Sequence, residues 1–190
     1  MSFIKALLKS KNPHQTVFTF ADLTNAVPGY MGIKLKSALK YAVAKNDLIR
    51  ISRGIYTLST NYSLEELGNK YRRPSYISLY TILQENGIVF QPYTSIFLAA
   101  NRSETVELDR QRYIYRKIKN EILLNPLGVN SINHISRATS ERAIGDKLYL
   151  DGLEHFDNLS RINWNLMEEL NAKVYLHHSA IAAFLAKNKP

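Results

Sequence analysis

The chain has 190 residues, with 25 Lys and Arg against 16 Asp and Glu, a formal charge of +9 with neutral histidines. Hydrophobic residues make up 45% and charged residues 22%, a globular composition long enough to bury a core without staples. The absence of cysteine excludes disulfide frameworks, thiolate nucleophiles and cysteine-based zinc sites. No apolar run approaches the length of a bilayer span or the pattern of a signal h-region, so a cytoplasmic protein with no membrane partner is expected.

The first elements run helix, helix, helix, hairpin. Phe3, Ile4, Leu7 and Leu8 predict a short amphipathic helix over residues 3–9, broken at Asn12-Pro13. Thr19 opens a second helix, with Asp22 completing an imperfect capping box, and Pro28-Gly29 marks a tight turn. A third helix is expected over residues 33–45. Leu35, Ala38, Leu39, Ala42 and Val43 share one face of it; Lys36, Ser37, Lys40 and Ala44 occupy the other, flanked by Ile33, Lys34 and Tyr41. Residues 48–58, LIRISRGIYTL, read as a β-hairpin turned through Ser52-Arg53-Gly54.

Charge is distributed to match. Residues 1–73 hold twelve Lys and Arg against four acids, a charge of +8, whereas residues 74–190 hold thirteen against twelve, a charge of +1. A local excess of this kind points to a polyanion, with a solubilising surface as the plain alternative. Helix, turn, helix and an Arg-tipped hairpin is the order of a winged helix-turn-helix, and that order favours double-stranded DNA. On this reading the N-terminal half of the third helix enters the major groove. Ser37, Lys40 and Tyr41 are candidates for base-edge or phosphate contacts, and Lys34, Lys36 and Arg53 for phosphate clamps.

Ser63 and Glu66 form a capping box for a helix reaching about residue 71, which ends at Arg72-Arg73-Pro74. It is either a linker or the first element of the second part. Ser75 is expected to cap the next helix, in which Tyr76, Leu79, Tyr80 and Leu83 recur at i, i+3, i+4 and i+7 until Gly87. Strands are predicted over residues 88–90, 95–99, 106–108, 113–118 and 132–136. Helices follow over residues 140–150, capped by Thr139, then 159–170 and 179–187. The expected fold class is α+β: an N-terminal winged helix-turn-helix with its linker helix over residues 1–73, and a mixed α+β domain over residues 74–190.

Catalytic chemistry has no foothold in this pattern. His14, His134, His155, His177 and His178 lack metal-ligand spacing, and neither a glycine-rich phosphate loop nor a G-x-S-x-G elbow is present. No catalytic residue, metal or cofactor is therefore expected. Arg110, Arg112, Arg116, Lys117 and Lys119 interleave with Tyr113 and Tyr115, as either a second base-stacking surface or a strand with one solvated basic face.

Three stretches carry a more specific resemblance. Residues 48–58 (LIRISRGIYTL), 73–89 (RPSYISLYTILQENGIV) and 138–150 (ATSERAIGDKLYL) resemble, in this order, the wing, the opening helix of the second domain and a later helix motif of the AbiEi family of antitoxins, associated with abortive-infection toxin–antitoxin operons. The likeness runs from about residue 18 to about residue 170. It implies an N-terminal domain that represses its own operon at inverted repeats in the promoter, and a C-terminal domain that counteracts a cognate nucleotidyltransferase-like toxin. By this resemblance Ser37, Lys40 and Arg53 fall in the DNA-reading helix and wing. Arg73, Pro74, Ser75, Tyr76, Thr139, Glu141, Arg142 and Asp146 fall in the antitoxin-domain motifs, and Ser140 departs from a helix-starting Pro found in many relatives. Physically, Arg142 and Asp146 stand at i, i+4, where a Coulombic pair stabilises a helix. The competing reading is a winged-helix regulator of other genes whose α+β part senses a small ligand.

Overall fold

Thr19 and Asp22 show how local chemistry starts the fold. In the computed structural model, which describes residues 2–190, the Asp22 N–H donates to the Thr19 hydroxyl at 3.1 Å and the Thr19 N–H to the Asp22 carboxylate at 2.9 Å, a complete capping box. The chain divides into two compact units, meeting in sequence between Tyr71 and Arg72.

The first unit contains α1 (Phe3–Ser10), β1 (Val17–Thr19), α2 (Phe20–Ala26), α3 (Gly32–Ala44), β2 (Ile49–Ser52), β3 (Ile55–Thr57) and α4 (Leu64–Tyr71). Its sheet has the order β1-β3-β2, antiparallel throughout. Phe3 and Leu7 of α1, Leu23 of α2, Leu35, Leu39 and Ala42 of α3, and Phe18 and Tyr56 of the sheet pack into one core. Strand β1 is absent from the sequence expectation, because three residues are too few for a period to show.

Helix α4 belongs to this unit, and a buried ionic cluster fixes it there. The Lys70 ammonium lies 2.9 Å from Glu66 and 3.0 Å from Asp22 and donates to the Val17 carbonyl. Glu66 accepts from the Thr16 N–H (2.8 Å), the Thr16 hydroxyl (2.6 Å) and the Val17 N–H (3.1 Å). The Ser63–Glu66 capping box is therefore only half made. Ser63 accepts from the Glu66 N–H at 3.1 Å, but the Glu66 side chain is committed to β1, and the Ser63 N–H turns to Thr16 instead.

The second unit contains β4 (Ser75–Ile77), α5 (Tyr80–Glu85), β5 (Ile96–Ala100), β6 (Glu104–Leu108), β7 (Gln111–Lys117), α6 (Asn120–Leu123), β8 (Val129–Ile132), β9 (Ile135–Ala138), α7 (Ser140–Asp151), α8 (Trp164–Lys173) and α9 (Ser179–Asn188). The α+β class stands. The strands form one mixed sheet in the order β6-β7-β5-β4-β9-β8, with β5–β7 and β4–β9 parallel. Helix α7 packs against α5, α8 and α9.

Several expected elements differ. Ser75 and Tyr76 do not open a helix: they lie in β4, the helix begins only at Tyr80, and Ser75 donates to the Arg72 carbonyl at 2.6 Å rather than capping. A short apolar run fits both periods, and the aromatic and β-branched pair Tyr76-Ile77 goes to the sheet. Buried Leu79, with φ 55° and ψ −139°, makes the sharp turn from strand to helix. Residues 88–90 form no strand. Residues 132–136 span a hairpin turn at Asn133-His134, both with positive φ, rather than one strand. Helix α8 starts at Trp164, where Asn163 accepts the Leu166 N–H at 3.1 Å, five residues later than expected.

Candidate nucleic-acid interface

The site begins with a bulge and a glycine. β2 and β3 pair Arg50 with Tyr56 and then shift register so that Ser52 opposes Ile55. Gly54 turns the hairpin with φ 77°, a left-handed conformation that suits glycine, and its carbonyl accepts the Phe20 N–H at 2.9 Å. That bond ties the hairpin turn to the start of α2. On the other side, Leu35 and Leu39 anchor α3 in the core with at most 3% of their surface exposed, which turns Lys36 and Lys40 outward.

The result is a cleft of about 550 Å³ between α3 and the hairpin. Lys36 and Lys40 line it from the helix, and Arg50 and Arg53 from the hairpin. Phe20, Leu39, Val43 and Tyr56 supply apolar surface, and no acid lines it. Four cations around one unneutralised concavity repel one another, and Lys36 and Lys40 at i, i+4 are unfavourable by about 0.2–0.5 kcal/mol even on an isolated helix. Such an arrangement gains from a polyanion. Helix α3 also starts without a side-chain cap and with no acid in its first turn, so nothing on the helix competes with an incoming anion there.

Of the sequence-predicted DNA residues, Lys36, Lys40 and Arg53 meet at this cleft. Lys34, Ser37 and Tyr41 are exposed on α3 but do not line it; the Lys34 ammonium lies 4.9 Å above the Tyr30 ring. Arg50 was missed. Strand alternation carries the signal for it, since Arg50 is the exposed position of the run Ile49-Arg50-Ile51.

The residues predicted in the second unit separate into two groups. Arg73 and Pro74, joined by a cis peptide bond, are exposed. Tyr76, Arg142 and Asp146 come together in the core, the last two with 0% exposure. Arg142 donates to the Tyr76 hydroxyl (3.1 and 3.3 Å) and to the carbonyls of Ile122 (2.6 Å) and Leu127 (2.8 Å). Tyr76 (3.0 Å), Ser78 (2.7 Å) and Tyr175 (2.8 Å) donate to Asp146, whose carboxylate lies 3.4 Å from the Arg142 Nε. Thr139 accepts the Arg142 N–H at 3.2 Å, and buried Glu141 accepts the Asn163 N–H at 2.9 Å, joining α7 to the start of α8. Burial raises the Asp146 carboxyl above its ordinary value despite Arg142 and three hydroxyl donors. The Arg142–Asp146 pair is thus more than a helix-surface contact: it ties α7 to β4, to the segment of Ile122 and Leu127, and to Tyr175. Ser78 and Tyr175 carry no sequence signal for this role.

Other candidate chemistry disperses. Tyr113 and Tyr115 are buried, so the basic strand offers no ring face to a base, and Arg116 pairs with Asp151 at 2.6 Å. Among the described residues no group of three or more His, Asp or Glu side chains is placed to hold a metal ion. No helix among them is long and apolar enough to cross a membrane. In comparison with known proteins, no protein-family model and no curated protein matches the chain.

Proposed function

We propose that the first unit is a winged helix-turn-helix that binds double-stranded DNA, and that the protein is a cytoplasmic antitoxin that represses its own operon. One observation carries the DNA reading: Lys36, Lys40, Arg50 and Arg53 converge on a single acid-free cleft. In this reading α3 lies in the major groove, and the hairpin reaches the flanking backbone or minor groove through Arg53.

The antitoxin reading is supported by the resemblance of residues 48–58, 73–89 and 138–150 to the AbiEi family. Two of its second-domain motifs interlock through Tyr76, Arg142 and Asp146. Their buried position gives them a scaffolding role. Contact with a nucleotidyltransferase-like toxin then falls to exposed residues, among which are Arg73 and Pro74.

A footprint on the DNA upstream of the gene tests autorepression. Protection of inverted repeats, lost in the Lys40→Ala/Arg53→Ala variant, is expected; absence of protection refutes it. A neighbouring gene for a nucleotidyltransferase-like toxin is expected, and co-expression with that toxin tests the antitoxin role. Restored growth is expected, and unrelieved growth arrest by a well-expressed chain refutes that part.

A further inference from the structure

The outward surface of α3 carries more than charge. Ile33 is 83% exposed and Tyr41 66% exposed, with exposed Ser37 between them, at i, i+4 and i+8 along one line of the helix. The helix's cations flank the line. Lys36 and Lys40 border it on the side of the cleft, and Lys34, drawn toward the Tyr30 ring, borders it on the other. An apolar stripe between two cationic margins, with no acid on the helix, is complementary to a polyanion that carries apolar groups between its charged edges.

The composition of α3 narrows this further. GIKLKSALKYAVA contains no Arg, Asn, Gln, Asp or Glu, so of the side chains that commonly hydrogen-bond base edges in the major groove it offers only its lysines and Ser37. Its lysines lie toward the margins. Thymine alone presents an apolar mark there, the 5-methyl group. We propose that α3 reads thymine methyl groups, with Ile33 and Tyr41 as the specificity-determining side chains, while the flanking lysines and the hairpin arginines hold phosphates. This rests on the DNA-binding reading above.

The test uses the full chain and a duplex recovered from a randomised DNA library by binding to it. The duplex is rebuilt with 2′-deoxyuridine in place of thymidine, which deletes the methyl groups and leaves base pairing intact. Wild-type binding should weaken roughly fourfold for each methyl that the helix covers, the equivalent of one buried methylene. Ile33→Ala, at a solvent-exposed position that leaves the core untouched, should bind the thymidine duplex more weakly and lose its own share of the difference between the two duplexes, and Ile33→Ala/Tyr41→Ala most of it. Equal wild-type affinity for both duplexes, or a difference that Ile33→Ala leaves unchanged, overturns methyl reading while the DNA-binding reading stands. Failure to recover any duplex, together with no salt-dependent binding to the library itself, overturns both.

Discussion

Replacing Arg142 by Met removes the buried cation and keeps most of its volume. Asp146 then remains fully buried with its hydroxyl donors but without a counter-charge. Stranding one partner of a buried ion pair costs about 3–5 kcal/mol. The Ile122 and Leu127 carbonyls also lose their guanidinium donors, at roughly 1 kcal/mol or more each. The total, at least about 5 kcal/mol, reaches the lower end of the 5–15 kcal/mol that holds a domain folded. Urea denaturation followed by hydrogen exchange on separate peptides should show the second unit losing protection at far lower denaturant, with the first unit unchanged. Arg142→Lys should fall between, since an ammonium keeps the charge but not the planar fork that serves two carbonyls and Tyr76. Arg142→Met/Asp146→Leu should recover part of the loss, because the uncompensated charge is gone while the hydroxyls of Tyr76, Ser78 and Tyr175 lose their acceptor. A loss below about 1 kcal/mol for Arg142→Met, the scale of an exposed pair, refutes the keystone role.

Further expectations follow from other contacts. Gly145→Ala places a Cβ 2.5–2.7 Å from the Tyr175 ring and hydroxyl, and should destabilise the second unit by about 1–3 kcal/mol in thermal or urea melts; an unchanged midpoint contradicts the packing. Lys70→Met leaves Glu66 and Asp22 without their cation and should expose α4 and β1 to hydrogen exchange first, at a cost of about 3–5 kcal/mol; protection equal to wild type contradicts the lock. Burial acts to raise the Asp22 carboxyl, but the Thr19 N–H and the Lys70 ammonium outweigh it and hold the pKa below its ordinary value of 3.8. Its contribution is therefore present above that value and lost as the pH falls through the lowered one. Asp22→Asn should remove this part of the acid dependence of the first unit's urea midpoint, and a parallel pH profile contradicts it.

Legibility from sequence followed length and locality. Helix α7 was readable because Thr139 caps it and nothing competes over twelve residues, and the hairpin because Gly54 sits between two β-prone runs. Strands β1 and β4 were not, since three residues carry no period and their partners lie far along the chain. The cleft was half legible. Helix periodicity put Lys36 and Lys40 on the outer face, and the turn placed Arg53, but the convergence with Arg50 needs the bulged register of β2 on β3. The Asp146 assembly was the least legible, because Tyr76 and Tyr175 approach it from 70 and 29 residues away.

The central claim is that the cleft between α3 and the hairpin holds DNA phosphates. Affinity for duplex DNA, measured by fluorescence anisotropy across a salt series, tests it most directly. The slope of log affinity against log salt should become shallower by about 1.8 in Lys40→Ala/Arg53→Ala, at about 0.9 for each phosphate contact removed. Wild-type affinity and an unchanged slope in that variant would contradict the account.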